Sequence, residues 1–149
     1  MKYLFGTLSL LFTLTVFAQE PAVPQNCEAK NFGIENKQLT LNKDSATPYV
    51  YILHNTSAGT VILSHVQSVV GAGAEQSKLE KNKWALISVT GNSFALGCLL
   101  YQPPHVGYSD CSSVVSVCSI PSAVSLGGLW IVQNESLTKV LDTLKLRGF

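Results

Sequence analysis

Apolar and polar residues alternate with a period of two through the middle of this chain, the repeat of strands that bury one face. QLTLN (38–42) alternates, YVYILHN (49–55) is β-branched and aromatic after the turn-forming run KDSATP, and TVILSHV (60–66) follows NTSAG, where Gly59 closes a loop. This spacing predicts a hairpin over 49–66. KWALISV (83–89) and SFALGCLL (93–100) flank Thr90-Gly91-Asn92, a connection fit for a tight β-turn. Along the second of these strands Phe94, Leu96, Cys98 and Leu100 share a face that is expected to be core. CSSVVSVC (111–118) and LWIVQ (129–133) bring the total to about seven short strands, as in an antiparallel β-sandwich of immunoglobulin-like or cupredoxin-like type. GAGAEQSKLEKN (71–82), glycine-rich and then charged, is expected to be a loop with a helical turn.

From Ser136 the period changes. Leu137, Val140, Leu141 and Leu144 fall at i, i+3, i+4 and i+7, Ser136 is an N-cap residue, and Gly148 follows Lys145 and Arg147 as a stop. One amphipathic helix over about 136–147 is expected to close a single domain spanning 27–149.

The chain opens differently. Lys2, the apolar run Leu8–Phe17 and the small residues Val16 and Ala18 predict a secretory signal peptide over 1–18, cut before Gln19. Gly6, Thr7, Ser9, Thr13 and Thr15 interrupt the run, which counts against a membrane anchor. Residues 19–26, proline-bearing and polar, are expected to be a flexible leader. No integral membrane segment is expected after cleavage, and the location is periplasmic, secreted or cell-surface. Ten basic and nine acidic residues, scattered to a net charge of +1, provide no concentrated positive field for nucleic acid.

Four cysteines in an exported chain favour two disulfides over a redox dithiol or a zinc site, both of which need closer spacings than the seven positions from Cys111 to Cys118. That separation is about 10 Å in a helix and over about 20 Å in a strand, whereas a disulfide needs Cα atoms within about 7 Å. Two pairings survive. Cys98–Cys111 with Cys27–Cys118 is preferred, because Cys98 and Cys111 would face each other at the mouth of an antiparallel pair joined by QPPHVGYSD.

Other constellations are weaker. His54, Cys98 and His105 superficially match the His-Cys-His set of a cupredoxin copper site, but the chain's one methionine is Met1, and using Cys98 would leave an odd number of cysteines outside the cell. None of His54, His65 and His105 has a serine in a Gly-x-Ser-x-Gly elbow to activate, and the carboxylates are scattered, so no catalytic group is expected. Trp84 and Trp130 are expected in the core with their indole N–H groups satisfied. Asn55-Thr56-Ser57 and Asn134-Glu135-Ser136 are glycosylation sequons, with Asn55 more simply a turn residue.

Several stretches taken together carry a resemblance: ILHNTSAGTVILSHV, KNKWALISV followed by FALGC, the Cys98, Cys111, Cys118 spacing with PPH inside it, and LWIVQNESLTKVLDTLKLRGF. The chain resembles the enhanced-entry protein family (EnhB-like), small exported proteins of Legionella and related intracellular bacteria. The resemblance implies export to the envelope, a role in bacterial entry into host cells, no cofactor and no catalytic residue. It names no partner, which would be an envelope or host protein. The function expected is a noncatalytic interaction protein binding through QPPHVGYSD and GAGAEQSKLEKN. The rivals are a cupredoxin-like electron carrier and a structural envelope component. Thiol counting on native protein is expected to find no free thiol, and disulfide mapping to find Cys98–Cys111 and Cys27–Cys118; an unbridged Cys98 contradicts the scheme.

Overall fold

A computed structural model describes residues 21–43, 47–65, 76–122 and 130–149. Ten strands and two helical segments follow in order: β1 (Phe32–Glu35), β2 (Gln38–Leu41), β3 (Tyr49–Asn55), β4 (Thr60–His65), β5 (Gln76–Leu79), β6 (Trp84–Val89), β7 (Phe94–Gln102), β8 (His105–Ser109), α1 (Cys111–Val114), β9 (Val115–Pro121), β10 (Trp130–Glu135) and α2 (Leu137–Leu146). They form two antiparallel sheets. One has four strands in the order β10-β6-β3-β9; the other has six, in the order β1-β2-β7-β4-β5 with β8 paired to β7.

The two sheets are built from different sequence patterns. The six-stranded sheet uses alternating strands, so that Leu39, Leu41, Val61, Leu63, Leu79, Leu96 and Cys98 point inward and intervening residues point out. The four-stranded sheet uses strands apolar on both sides, such as β3 and β6. Tyr51, Leu53, Ala85 and Ile87 meet the other sheet, while Val50, Ile52, Leu86 and Ile120 form a second cluster on the opposite face with Val140 and Leu144 of α2. A sheet with two apolar faces needs a cover on each. The helix supplies the second cover, making three layers. Its N-cap is Ser136, whose Oγ accepts from the Lys139 N–H at 3.3 Å, and Gly148 ends it in a left-handed conformation (φ +88°).

The sandwich with a C-terminal helix agrees with the sequence pattern, but the connections do not. β3 and β4 are not a hairpin: β3 pairs with β6 and β9, and β4 with β5 and β7. Likewise Thr90-Gly91-Asn92 carries the chain from one sheet to the other. A short, turn-rich connection permits either course, and the opposite demands of the flanking strands decide: a two-faced strand belongs under the helix and an alternating one does not. CSSVVSVC is one helical turn followed by a strand, because Asp110 caps the turn by accepting from the Ser112 N–H at 3.0 Å. Gln76–Leu79, expected in a loop, is strand β5, whose Ser77 and Leu79 are buried; residues 71–75 lie outside the described residues. So do the signal segment, residues 19–20 and Leu129.

The hairpin β1–β2 turns on Asn36-Lys37, both at positive φ (50° and 65°), the geometry of a type I′ turn. Both disulfides have Cα atoms 5.3 Å apart. Cys98–Cys111 ties β7 of one sheet to the turn that opens β9 of the other, and Cys27–Cys118 ties the N-terminal segment to β9. The bridge of 91-residue separation closes a far longer loop than that of 13; chain entropy assigns about 4.5 and about 3 kcal/mol.

Tyr51 also joins the sheets. From β3 its buried ring crosses the core, and its hydroxyl accepts from the Asn42 N–H at 2.6 Å and donates to the Asn31 carbonyl at 2.9 Å, on the two flanks of the β1–β2 hairpin. Burial pushes its pKa up to about 12, so it remains a neutral donor. Tyr51→Phe leaves the buried Asn42 N–H without this acceptor and is expected to cost about 1–3 kcal/mol, read as a lower denaturant midpoint at unchanged m-value.

Candidate functional site: the outer face of the six-stranded sheet

The four-stranded sheet is covered on both sides; among the described residues no element covers the outer face of the six-stranded sheet. Such a face is ordinarily polar, and at β2 and β5 it is, with Gln38, Thr40, Gln76 and Lys78. Toward β8 the character changes. Ile62 of β4 lies opposite Leu99 of β7, which lies opposite Tyr108 of β8, so these three make one cross-strand row. The next row is Thr60, Tyr101 and Val106. Tyr101, Val106 and Tyr108 are 44%, 60% and 87% exposed. A contiguous apolar, aromatic surface rather than a scattered residue therefore faces solvent. Beside it a groove of about 510 Å³ runs over Gly97, with Gln38, Ser64, Gln76 and Lys37 on its rim and Tyr108 as a wall.

The scaffold holds this face firmly. Cys98 anchors β7 through its bridge to Cys111, one residue after the Asp110 cap. Hydrogen bonds from Ser112 hold the Asp110 carboxylate below its usual pKa. At the far end, a Cβ on Gly59 would stand 2.6 Å from the Tyr101 carbonyl, so only glycine lets the 56–59 loop lie against the hairpin. Asn55 fastens that loop: its buried amide donates to the Gly59 and Leu79 carbonyls at 2.9 and 2.8 Å, and its Oδ1 accepts from the Ser57 N–H at 2.9 Å. Asn55, expected to be a turn residue, is the last residue of β3; its side chain holds the turn that follows, with its sequon nitrogen committed inside the protein. Asn134 of the second sequon accepts from the Glu80 N–H at 2.7 Å through its Oδ1.

QPPHVGYSD, expected to be a loop, is the end of β7, a Pro103-Pro104 tip with a cis peptide bond, and the edge strand β8. The strand register extends further than the turn signals indicated because β7 runs on for nine residues and carries β8 with it. GAGAEQSKLEKN contributes β5 and the turn Glu80–Asn82. Val61 faces Leu79 on one side and Leu100 on the other, which brings that turn to the same end of the sheet as the Pro103-Pro104 tip. The sequence pattern did not single out Tyr101, Val106 and Tyr108; the pairing of Tyr101 with Val106, with Tyr108 two residues on in the same phase, places all three on one face.

The structure does not assemble His54, Cys98 and His105. The Cys98 sulfur is bonded to Cys111 and is not a thiolate. His105 begins the exposed strand β8, and His54 sits on the other sheet, stacked at 3.9 Å and 6° on Trp84, which is opposite it in register. His65 stacks on Phe94 at 3.9 Å. Among the described residues no three of His, Cys, Asp and Glu gather in metal-binding geometry. Trp130 departs from expectation, since its buried Nε1 has no partner among the described residues. A second, apolar cleft of about 350 Å³ lies between Pro21, Pro24, Ile120, Leu141 and Phe149; of these, Ile120, Leu141 and Phe149 belong to the cluster that seats α2. No helix among the described residues is long and apolar enough to cross a membrane.

No protein-family model, curated protein or solved structure matches the chain.

Partial burial lowers the pKa of His54. Its unfolded form takes up a proton near its ordinary value, about 6.5, while the folded form resists. Stability relative to His54→Phe, which keeps an aromatic ring on Trp84, is therefore expected to be constant above about pH 7.5 and to fall as pH drops through about 6.5. Paired denaturation series at fixed ionic strength measure the difference; a difference that is flat or rises toward acid contradicts the assignment.

Proposed function

We propose that this protein is an exported, noncatalytic interaction protein of the bacterial envelope that takes part in the invasion of host cells, as its resemblance to the enhanced-entry family implies. The observation that carries the binding role is the surface of Tyr101, Val106 and Tyr108, solvent-exposed on a hairpin anchored by a disulfide. Exposed aromatics on a pre-ordered frame lose little conformational entropy on binding, and large apolar patches mark interaction sites. Two disulfides suit a compartment outside the reducing cytosol, and the terminal segment of the chain has the pattern of a secretory signal. Periplasm or cell surface is the location this reading assigns.

A photo-crosslinking residue at Tyr108, in bacteria that export the protein, is expected to give adducts that Tyr101→Ser lowers several-fold, while one at Lys139 on the far side of α2 gives none of them. The same variant is expected to reduce invasion of host cells without altering envelope permeability. Equal adducts from both positions contradict the placement of the surface, and a permeability defect preceding any invasion defect points instead to a structural role in the envelope.

A further inference from the structure

Every sheet edge is a row of backbone groups ready to pair with another strand, and proteins blunt such edges with charge or cover. Here β9 is bridged by the N-terminal segment through Glu28 and Ser119, and β10 and β5 are linked by the Glu80 N–H donating to Asn134. β5 also carries Lys78, and β1 ends in Glu35, which pairs with Lys43. Among the described residues β8 has neither device. Its sequence, HVGYS, holds no acid, lysine, arginine or proline; four of its five residues are exposed; and its pairing among the described residues is with β7 alone.

The geometry points to a second copy of this chain as the partner of that edge, joined β8 to β8 in antiparallel register about a two-fold axis through Gly107. An antiparallel joint keeps the apolar outer faces on one side only if Val106 and Tyr108 pair with residues of the same phase, because side chains alternate faces. Of the registers that satisfy this, the one centred on Gly107 uses all five residues. It sets Val106 opposite Tyr108 of the second copy, a β-branched residue against an aromatic, which is a favourable cross-strand pair. Gly107 meets itself with no side chain to clash, and His105 meets Ser109, so no like charges are opposed. The row Ile62, Leu99, Tyr108 then continues into Val106 and Tyr101 of the second copy. Edge pairing leaves the face open, so this inference goes beyond the proposed partner binding and does not depend on it. A five-residue joint is smaller than the roughly 1,200 Å² of a standard interface, and the dimer is accordingly reversible.

Sedimentation of the purified, oxidised protein tests this. The weight-average coefficient is expected to rise toward that of a dimer between about 10 μM and about 1 mM, the range in which small interfaces associate. V106K/Y108K, both at exposed positions, sets ammonium groups against one another and is expected to abolish the rise, as is V106E/Y108E; an equimolar mixture of the two is expected to restore it. The mixture also guards against misfolding, since unfolded variants would not regain a defined dimer. A wild type that remains monomeric throughout, a dimer that survives V106K/Y108K, or a folded mixture that stays monomeric each overturns the proposal.

Discussion

The structure depends on covering the outer face of the four-stranded sheet. Val50, Ile52, Leu86 and Ile120 present a surface that cannot be left in water, and α2 seats Val140 and Leu144 on it. Burial of two such side chains contributes about 3–6 kcal/mol, on the scale of a small domain's net stability. Once the helix has taken this side, the four strands beneath it must lie in one sheet and the alternating strands in the other. That division forces the chain to change layers between β3 and β4 and again between β6 and β7. The consequence for function is an asymmetry: one sheet is enclosed, and the other has an outer face that no described element covers and on which apolar residues are conspicuous.

Links between the layers then converge on a few places. Tyr51 binds the β1–β2 hairpin from across the core, Cys98–Cys111 holds the hairpin strand β7 against the start of β9, and Cys27–Cys118 secures the far side of β9. The residues that display the aromatic surface are therefore next to the most constrained part of the molecule. A rigid frame with an exposed edge is how binding surfaces are commonly built. On the two sheets, His54 and His65 are stacked on the rings of Trp84 and Phe94.

Local pattern sufficed for the strand cores of β2, β3, β4, β6 and β7, the C-terminal helix with its Ser136 cap and Gly148 stop, and the preferred cysteine pairing, because each rests on periodicity, capping or chain reach. It missed β1, since its turn is Asn-Lys rather than the Asn-Gly that announces a two-residue hairpin. It missed β5 because QSKL is polar, and only its partnership with β4 buries Ser77 and Leu79. It missed the turn of helix α1, where an Asp110 cap outweighed the β-propensity of the serines and valines that follow.

The candidate surface divides in the same way. QPPHVGYSD was identifiable from sequence as a distinctive segment beside Cys98 and Cys111, but a string of letters does not say which neighbours it will have. That Tyr101, Val106 and Tyr108 share a face with Ile62 and Leu99 follows from pairing between strands distant in sequence. That no described element covers this face follows from where the helix went. Sequence by itself determined the periods of the elements and the reach of the crosslinks, which are local or pairwise constraints. Tertiary structure alone decided which strands share a sheet and which apolar side chains are left outside, because those depend on how all the faces compete for the available cover.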